Sequence, residues 1–115
     1  MNRIQKGMKL QADPTVIYAL HRKNPEEPIK RVLTRHLTID DPYNTYVIKG
    51  LPPGPICIPE KSAISAVLDA PEHDYIFMCA DPEKPGYHAF SVSYSGHLAN
   101  QRRWTQWLDA QKIYR

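Results

Sequence analysis

The sequence predicts an α+β fold, three or so helices packed on a small antiparallel sheet that includes a hairpin near residues 75–94. Three observations carry this. Apolar residues recur at helical spacing in three separate stretches. One region sets two short apolar runs on either side of a Pro/Gly-rich turn, which is the signature of a hairpin. The order mixes helices with a single hairpin and shows no βαβ alternation. No internal repeat or low-complexity segment interrupts the pattern, so residues 1–115 read as one domain.

Taken in order, residues 1–10 ("MNRIQKGMKL") read as the end of a helix, with Arg3, Lys6 and Lys9 at helical spacing and Gly7 as the stop. A chain that opens on the end of a helix looks cut. Asp13 then reads as an N-cap and Pro14 as the first helical residue of a helix carrying Val16, Ile17, Ala19 and Leu20. Residues 24–28 are polar loop, and residues 31–37 are ambiguous up to the break at Asp41-Pro42. A second helix should run from near Pro59 to about Asp69, with Ile64, Val67 and Leu68 as its apolar stripe and Pro71 beyond its end. Tyr75 to Ala80 reads as a short buried strand, "DPEKPG" as a turn, and His88 to Tyr94 as an alternating strand. In that strand His88 shares the parity of Phe90 and is expected on the covered face. The last helix is expected from about His97 to Tyr114, with Trp104, Trp107 and Leu108 as its core face.

The totals exclude some classes. With 115 residues, 42% apolar and 23% charged, the chain is long enough for a core and ordinary for a globular protein. A net charge of +3 is too weak to argue for nucleic acid. The basic clusters at residues 21–23, 30–31 and 102–103 read as solvated faces. Cys57 and Cys79 match no zinc or redox spacing; Cys79, within "YIFMCA", reads as a buried thiol, and a disulfide between the two stays open. His88 and His97 lack nearby cysteine or carboxylate partners, so no metal is expected. No stretch reaches the roughly 20 apolar residues of a membrane span, and no signal peptide is recognisable.

The stretch "YNTYVIKGLPPGPI", residues 43–56, sets polar and aromatic groups against a proline-rich loop. Tyr43, Asn44, Thr45 and Tyr46 suit a sugar site: rings stack on sugar faces, and amides and hydroxyls bind N-acetyl and hydroxyl groups. The competing reading is an Asx-type turn leading into a strand. Pro52 and Pro53 have fixed φ, and Pro53-Gly54 suits a type II turn with glycine at positive φ. Such a segment loses little entropy on ordering and makes a stiff wall, or simply a rigid connector.

Together "NRIQKGMKLQADPTVIYAL", "PYNTYVIKGLPPGPI", "YIFMCAD" and "YHAFSVSYSGH" resemble, in order and spacing, the MltG-like (YceG-like) endolytic murein transglycosylases. The resemblance runs from Asn2 to the final helix; "CIPE", residues 57–60, departs from the small-polar-Pro-Gly run more usual there. It implies non-hydrolytic cleavage of peptidoglycan glycan strands to 1,6-anhydro-muramoyl ends. In that chemistry the sugar's own 6-hydroxyl attacks the anomeric carbon, so one glutamic acid serves as acid and then base. A hydrolase would need a second carboxylate. An older label for the family, aminodeoxychorismate lyase, would require a larger fold around a pyridoxal-phosphate lysine, and no cofactor is expected here.

The resemblance also implies site residues. Gln11, Asp13, Tyr43, Asn44, Thr45 and Tyr46 become candidate substrate contacts, with Thr15 sharing the role of Gln11. Pro52, Pro53 and Gly54 become the cleft wall, and His88 and His97 its supports. The family's catalytic glutamate lies on a helix upstream of the "NR" at Asn2-Arg3, and Glu26, Glu27, Glu60, Glu72 and Glu83 do not align with it. The expectation is therefore a C-terminal portion of a transglycosylase domain, inactive alone. Its partners would be a glycan strand and cell-wall synthesis proteins, with no nucleic acid. It would lie in the cell envelope, reaching the membrane only through an N-terminal anchor outside this chain. The alternative is a noncatalytic glycan- or protein-binding module.

Overall fold

A computed structural model describes residues 1–114. The class is α+β: helices α1 (Asn2–Gln5), α2 (Asp13–Lys23), α3 (Lys61–Leu68) and α4 (Tyr94–Ala110), a 3-10 turn at Thr34–His36, and strands β1 (Phe77–Ala80) and β2 (His88–Ser91). The chain divides into two compact units. One comprises Arg3–Pro28 and Val32–His73; the other comprises Met1–Asn2, Ile29–Arg31 and residues 74–114.

In the first unit, Gly7 ends α1 as expected, at φ +68. Its amide bonds the Ile4 carbonyl (3.1 Å) and the next amide, Met8, bonds that of Arg3 (2.8 Å). These two bonds form a Schellman motif, which requires the left-handed residue that glycine supplies. Helix α2 starts one residue earlier than a cap at Asp13 implies, at Asp13 itself. Ala12 holds the extended N-cap position, and no side chain of its own caps the helix. The Ala12 amide instead donates to Thr45 Oγ1 at 2.9 Å. Asp13, inside the first turn, is left to favour the helix dipole. Val16 and Ala19 are fully buried, and so are the polar side chains of Asn44 and Thr45, with Thr15 and Asp41 nearly so. The interior of this unit is thus polar as much as apolar, because long loops bring backbone groups inside that must be paired.

Residues 41–50 form consecutive turns in place of the strand that the alternative reading required. Helix α3 forms where its apolar stripe lies, yet Ile64, Val67 and Leu68 are all exposed.

In the second unit β1 and β2 pair antiparallel, Phe77 opposite Ser91 and Met78 opposite Phe90. The turn between them follows the expectation: Asp81 Oδ1 accepts from the Glu83 amide (3.0 Å), and Gly86 sits at φ +86. Helix α4 packs on the hairpin. It begins at Tyr94, earlier than expected, because Ser93 caps it by accepting from the Gly96 amide at 3.1 Å. The strand accordingly stops at Ser91. Leu108 is buried, Trp104 is half-buried and stacks on Trp107 (5.0 Å, 12°), and Trp107 itself is exposed rather than core.

The sheet faces are the reverse of the expectation for His88. His88 and Phe90 are exposed, whereas Ala89 and Ser91 are half-buried. Small side chains on that parity admit the helix closely; Phe77 fills the remaining space, stacked on His97 at 5.0 Å and near Tyr94 at 5.8 Å. Cys57 and Cys79 are both free thiols, and burial pushes the Cys79 thiol up. No helix among the described residues is long and apolar enough to cross a membrane.

Candidate functional site

The best-formed polar constellation lies where the N-terminus of α2 meets the turns at residues 41–48, within the first unit. It is built in two layers.

The lower layer is buried. Asn44 has no exposed surface. Its amide nitrogen donates to the Leu37 and Ile39 carbonyls (3.0 and 2.9 Å), and its Oδ1 accepts from the Tyr46 amide at 3.0 Å. That last bond is an Asx turn, and Asp41 makes another by accepting from the Tyr43 amide at 2.9 Å. Asp41 also faces Arg22 at 3.5 Å. Thr45, likewise without exposed surface, shares a hydroxyl hydrogen bond with Thr15 (2.8 Å), and the Thr15 hydroxyl donates to the Ala12 carbonyl at 2.6 Å.

The upper layer is accessible. Gln11 adopts φ +50, the left-handed region, which costs a non-glycine residue about 1 kcal/mol. Its amide donates to the Thr45 carbonyl at 3.2 Å. Arg3 Nη1 points at the Lys9 and Leu10 carbonyls (2.8 and 3.3 Å) and at Gln11 Oε1 (3.3 Å). The Tyr46 hydroxyl donates to Asp13 Oδ1 at 2.5 Å. Burial, then the bond to Asp13, raise the Tyr46 phenol far above its ordinary value, while the charge of Arg3 pulls the other way.

Beside these groups runs the proline wall. Thr15, Leu51, Pro52, Gly54, Pro55 and Ile56 line an open hollow of about 410 Å³. Gly54 is not at positive φ, so the type II turn expected at Pro53-Gly54 is absent. Its value is space: a Cβ there would come within 3.2 Å of the Tyr43 hydroxyl. Tyr43 in turn is held between the Tyr18 ring (4.8 Å) and the Arg22 guanidinium (4.8 Å).

Of the residues expected from sequence, Gln11, Asp13, Asn44, Thr45 and Tyr46 come together through direct hydrogen bonds, and Tyr43 and Gly54 meet beside the wall. Pro53 is exposed and does not line the hollow. His88 and His97 belong to the other unit. Three further residues join them: Arg3, which the sequence suggests only as part of a helix end, Arg22, which it suggests as a solvated face, and Tyr18, which it does not single out. Tyr18 and Arg22 are four residues apart on α2 and so share a face, a signal the helical period contained.

The model of the YceG-like family matches residues 1–103. The endolytic murein transglycosylase of Bacillus subtilis is 44% identical over 79 residues, 69% of this chain and 21% of that protein. Its namesake in Streptococcus pneumoniae is 30% identical over 80 residues, 70% of this chain and 14% of that one. A crystal structure of a yceG-like protein from Listeria monocytogenes superposes with a TM-score of 0.71 at 38% identity, over 85% of this chain and 29% of its own. The chain thus spans about a fifth or less of the curated relatives it matches. With a match over nearly its whole length, the chain belongs to the YceG-like family.

Proposed function

We propose that this chain is part of a peptidoglycan endolytic transglycosylase and supplies one side of its glycan cleft. Gln11, Asp13, Tyr43 and Tyr46 are the contacts to the sugar. Asn44 and Thr45, which reach no surface, serve as buried supports. Pro52 and Gly54 hold the wall. The observation that carries this reading is the convergence of Gln11, Asp13 and Tyr46 on one buried turn next to an open hollow, in a chain of this family.

The division of labour follows from the chemistry. Proton transfer to a glycosidic oxygen is sensitive to distance, so the wall must not move. Asx turns, a fully bonded amide and fixed proline φ values provide that stiffness. An acid kept protonated near neutral pH needs a dry or like-charged site. All five glutamates of the chain are exposed, and Glu83 is paired with Arg103 at 3.0 Å. The catalytic acid is therefore assigned to polypeptide other than these residues, and the cell envelope is the proposed location.

The test is to incubate purified glycan strands with this chain and, separately, with the Bacillus subtilis relative, reading products by mass spectrometry and retention by co-sedimentation. Anhydro ends from the relative alone, with glycan retained by both, are expected. Robust anhydro-product release by this chain would refute the assignment of the acid. Loss of retention would refute the cleft role.

A further inference from the structure

We propose that Arg3 is a positioning residue that fixes which end of the Gln11 carboxamide faces the ligand, so that the site recognises a carbonyl-type acceptor on the sugar. This rests on the glycan-cleft reading but makes a separate demand of the chain.

The argument begins with donor chemistry. A guanidinium has five N–H donors and no acceptor. Facing Gln11, it can donate only to the oxygen end of the amide, and Arg3 Nη1 lies 3.3 Å from Oε1. The orientation of the amide is thus dictated by the partner. The other end, Nε2 with its two hydrogens, enters no hydrogen bond among the described residues, and Gln11 is exposed. Arg3 itself is anchored, because the same nitrogen holds the Lys9 and Leu10 carbonyls just before the left-handed turn. The Gln11 backbone is fixed from the far side by the Thr45 carbonyl. Main chain and side chain are therefore both clamped, and what remains is a pair of donors on an exposed side chain.

Such a pair binds an acceptor oxygen. On a muramoyl glycan two sources present one: the acetamido carbonyl of either sugar and the lactyl carboxyl group. A hydroxyl would be served equally well by either end of an amide, so the clamp would be without purpose for it.

The experiment uses the whole chain with the variants Gln11→Glu, Arg3→Met and Arg3→Lys. Gln11→Glu keeps an oxygen for Arg3 and removes both donors. Affinity for peptidoglycan glycan strands should fall about tenfold or more. A fall confined to N-acetylated strands, absent on N-deacetylated ones, identifies the acetamido group. An equal fall on both identifies the lactyl group. No fall on either overturns the proposal.

Arg3→Met should speed hydrogen exchange at the Gln11 and Ala12 amides by roughly tenfold while the melting temperature stays nearly constant. Arg3→Lys, which also donates only, should restore part of the protection and part of the affinity. Unchanged exchange in Arg3→Met overturns the positioning role whatever the glycan result. Should the unaltered chain bind no glycan at all, the cleft reading falls and takes the ligand half of the inference with it. The exchange data then still decide whether Arg3 holds Gln11.

Discussion

The two units of this chain are held together by different physics. Around α2 the buried side chains are mostly polar, Thr15, Asp41, Asn44 and Thr45 against Val16 and Ala19. Around the hairpin and α4 the joints are ring stacks, Phe77 on His97 and Trp104 on Trp107. A polar interior built of directional bonds fixes a loop to within an ångström but fails abruptly when one partner is lost. A stacked aromatic interior is less directional and loses stability in proportion to the area removed. The candidate site sits on the first kind of interior, where rigidity of loops is the requirement.

Substitutions that break the comparison should rank accordingly. Asn44→Leu strands two carbonyls and one amide, and it should cost about 3–5 kcal/mol by urea denaturation. It should also abolish glycan retention. Phe77→Ala removes a half-buried ring from the other unit, and about 2 kcal/mol is expected, with retention intact. If both variants lost retention equally, the site would not belong to the polar unit alone.

Tyr46→Phe sharpens the contrast through pH. The folded-state phenol titrates above its unfolded value, so its contribution is fully present below about pH 10 and is lost as pH rises beyond that. Denaturation series from pH 7 to 11 should show stability of the unaltered chain falling faster at the alkaline end than that of Tyr46→Phe. At neutral pH the variant should lose about 1 kcal/mol. Arg103→Ala, removing exposed ion pairs to Asp81 and Glu83, should cost no more than about 0.5 kcal/mol and vanish in high salt. A larger effect there would mean that the hairpin unit, too, depends on directional contacts.

Much of the fold was legible because it is written in local chemistry. Gly7 ends α1, Pro14 stands in the first turn of α2, the "DPEKPG" turn joins two strands, and each acts through its own φ or its own missing donor. The start of α4 was misplaced by three residues because Ser93 competes with a strand pattern that alternates through Tyr94. The strand pattern points His88 to the wrong face because hydrophobicity favours Phe90 inside, whereas the close approach of α4 favours Ala89 and Ser91. Gly54 suggests a backbone device by its place after Pro53, yet its reason is the distant Tyr43 hydroxyl. At the site, the residue types were readable from "QADPT" and "YNTY", but their division into a buried and an open layer was not.

The sequence by itself determined the class, the order of the elements and the family membership, since each rests on residue type and spacing along the chain. Only the tertiary structure decided that Asn44 and Thr45 lie beneath the surface, that Tyr43 is clamped by Tyr18 and Arg22, and that Arg3 grips Gln11 by its oxygen. The reason is physical: burial and hydrogen-bond direction depend on which distant groups arrive, and residues 30 positions apart, such as Thr15 and Thr45, carry no local signal of their meeting.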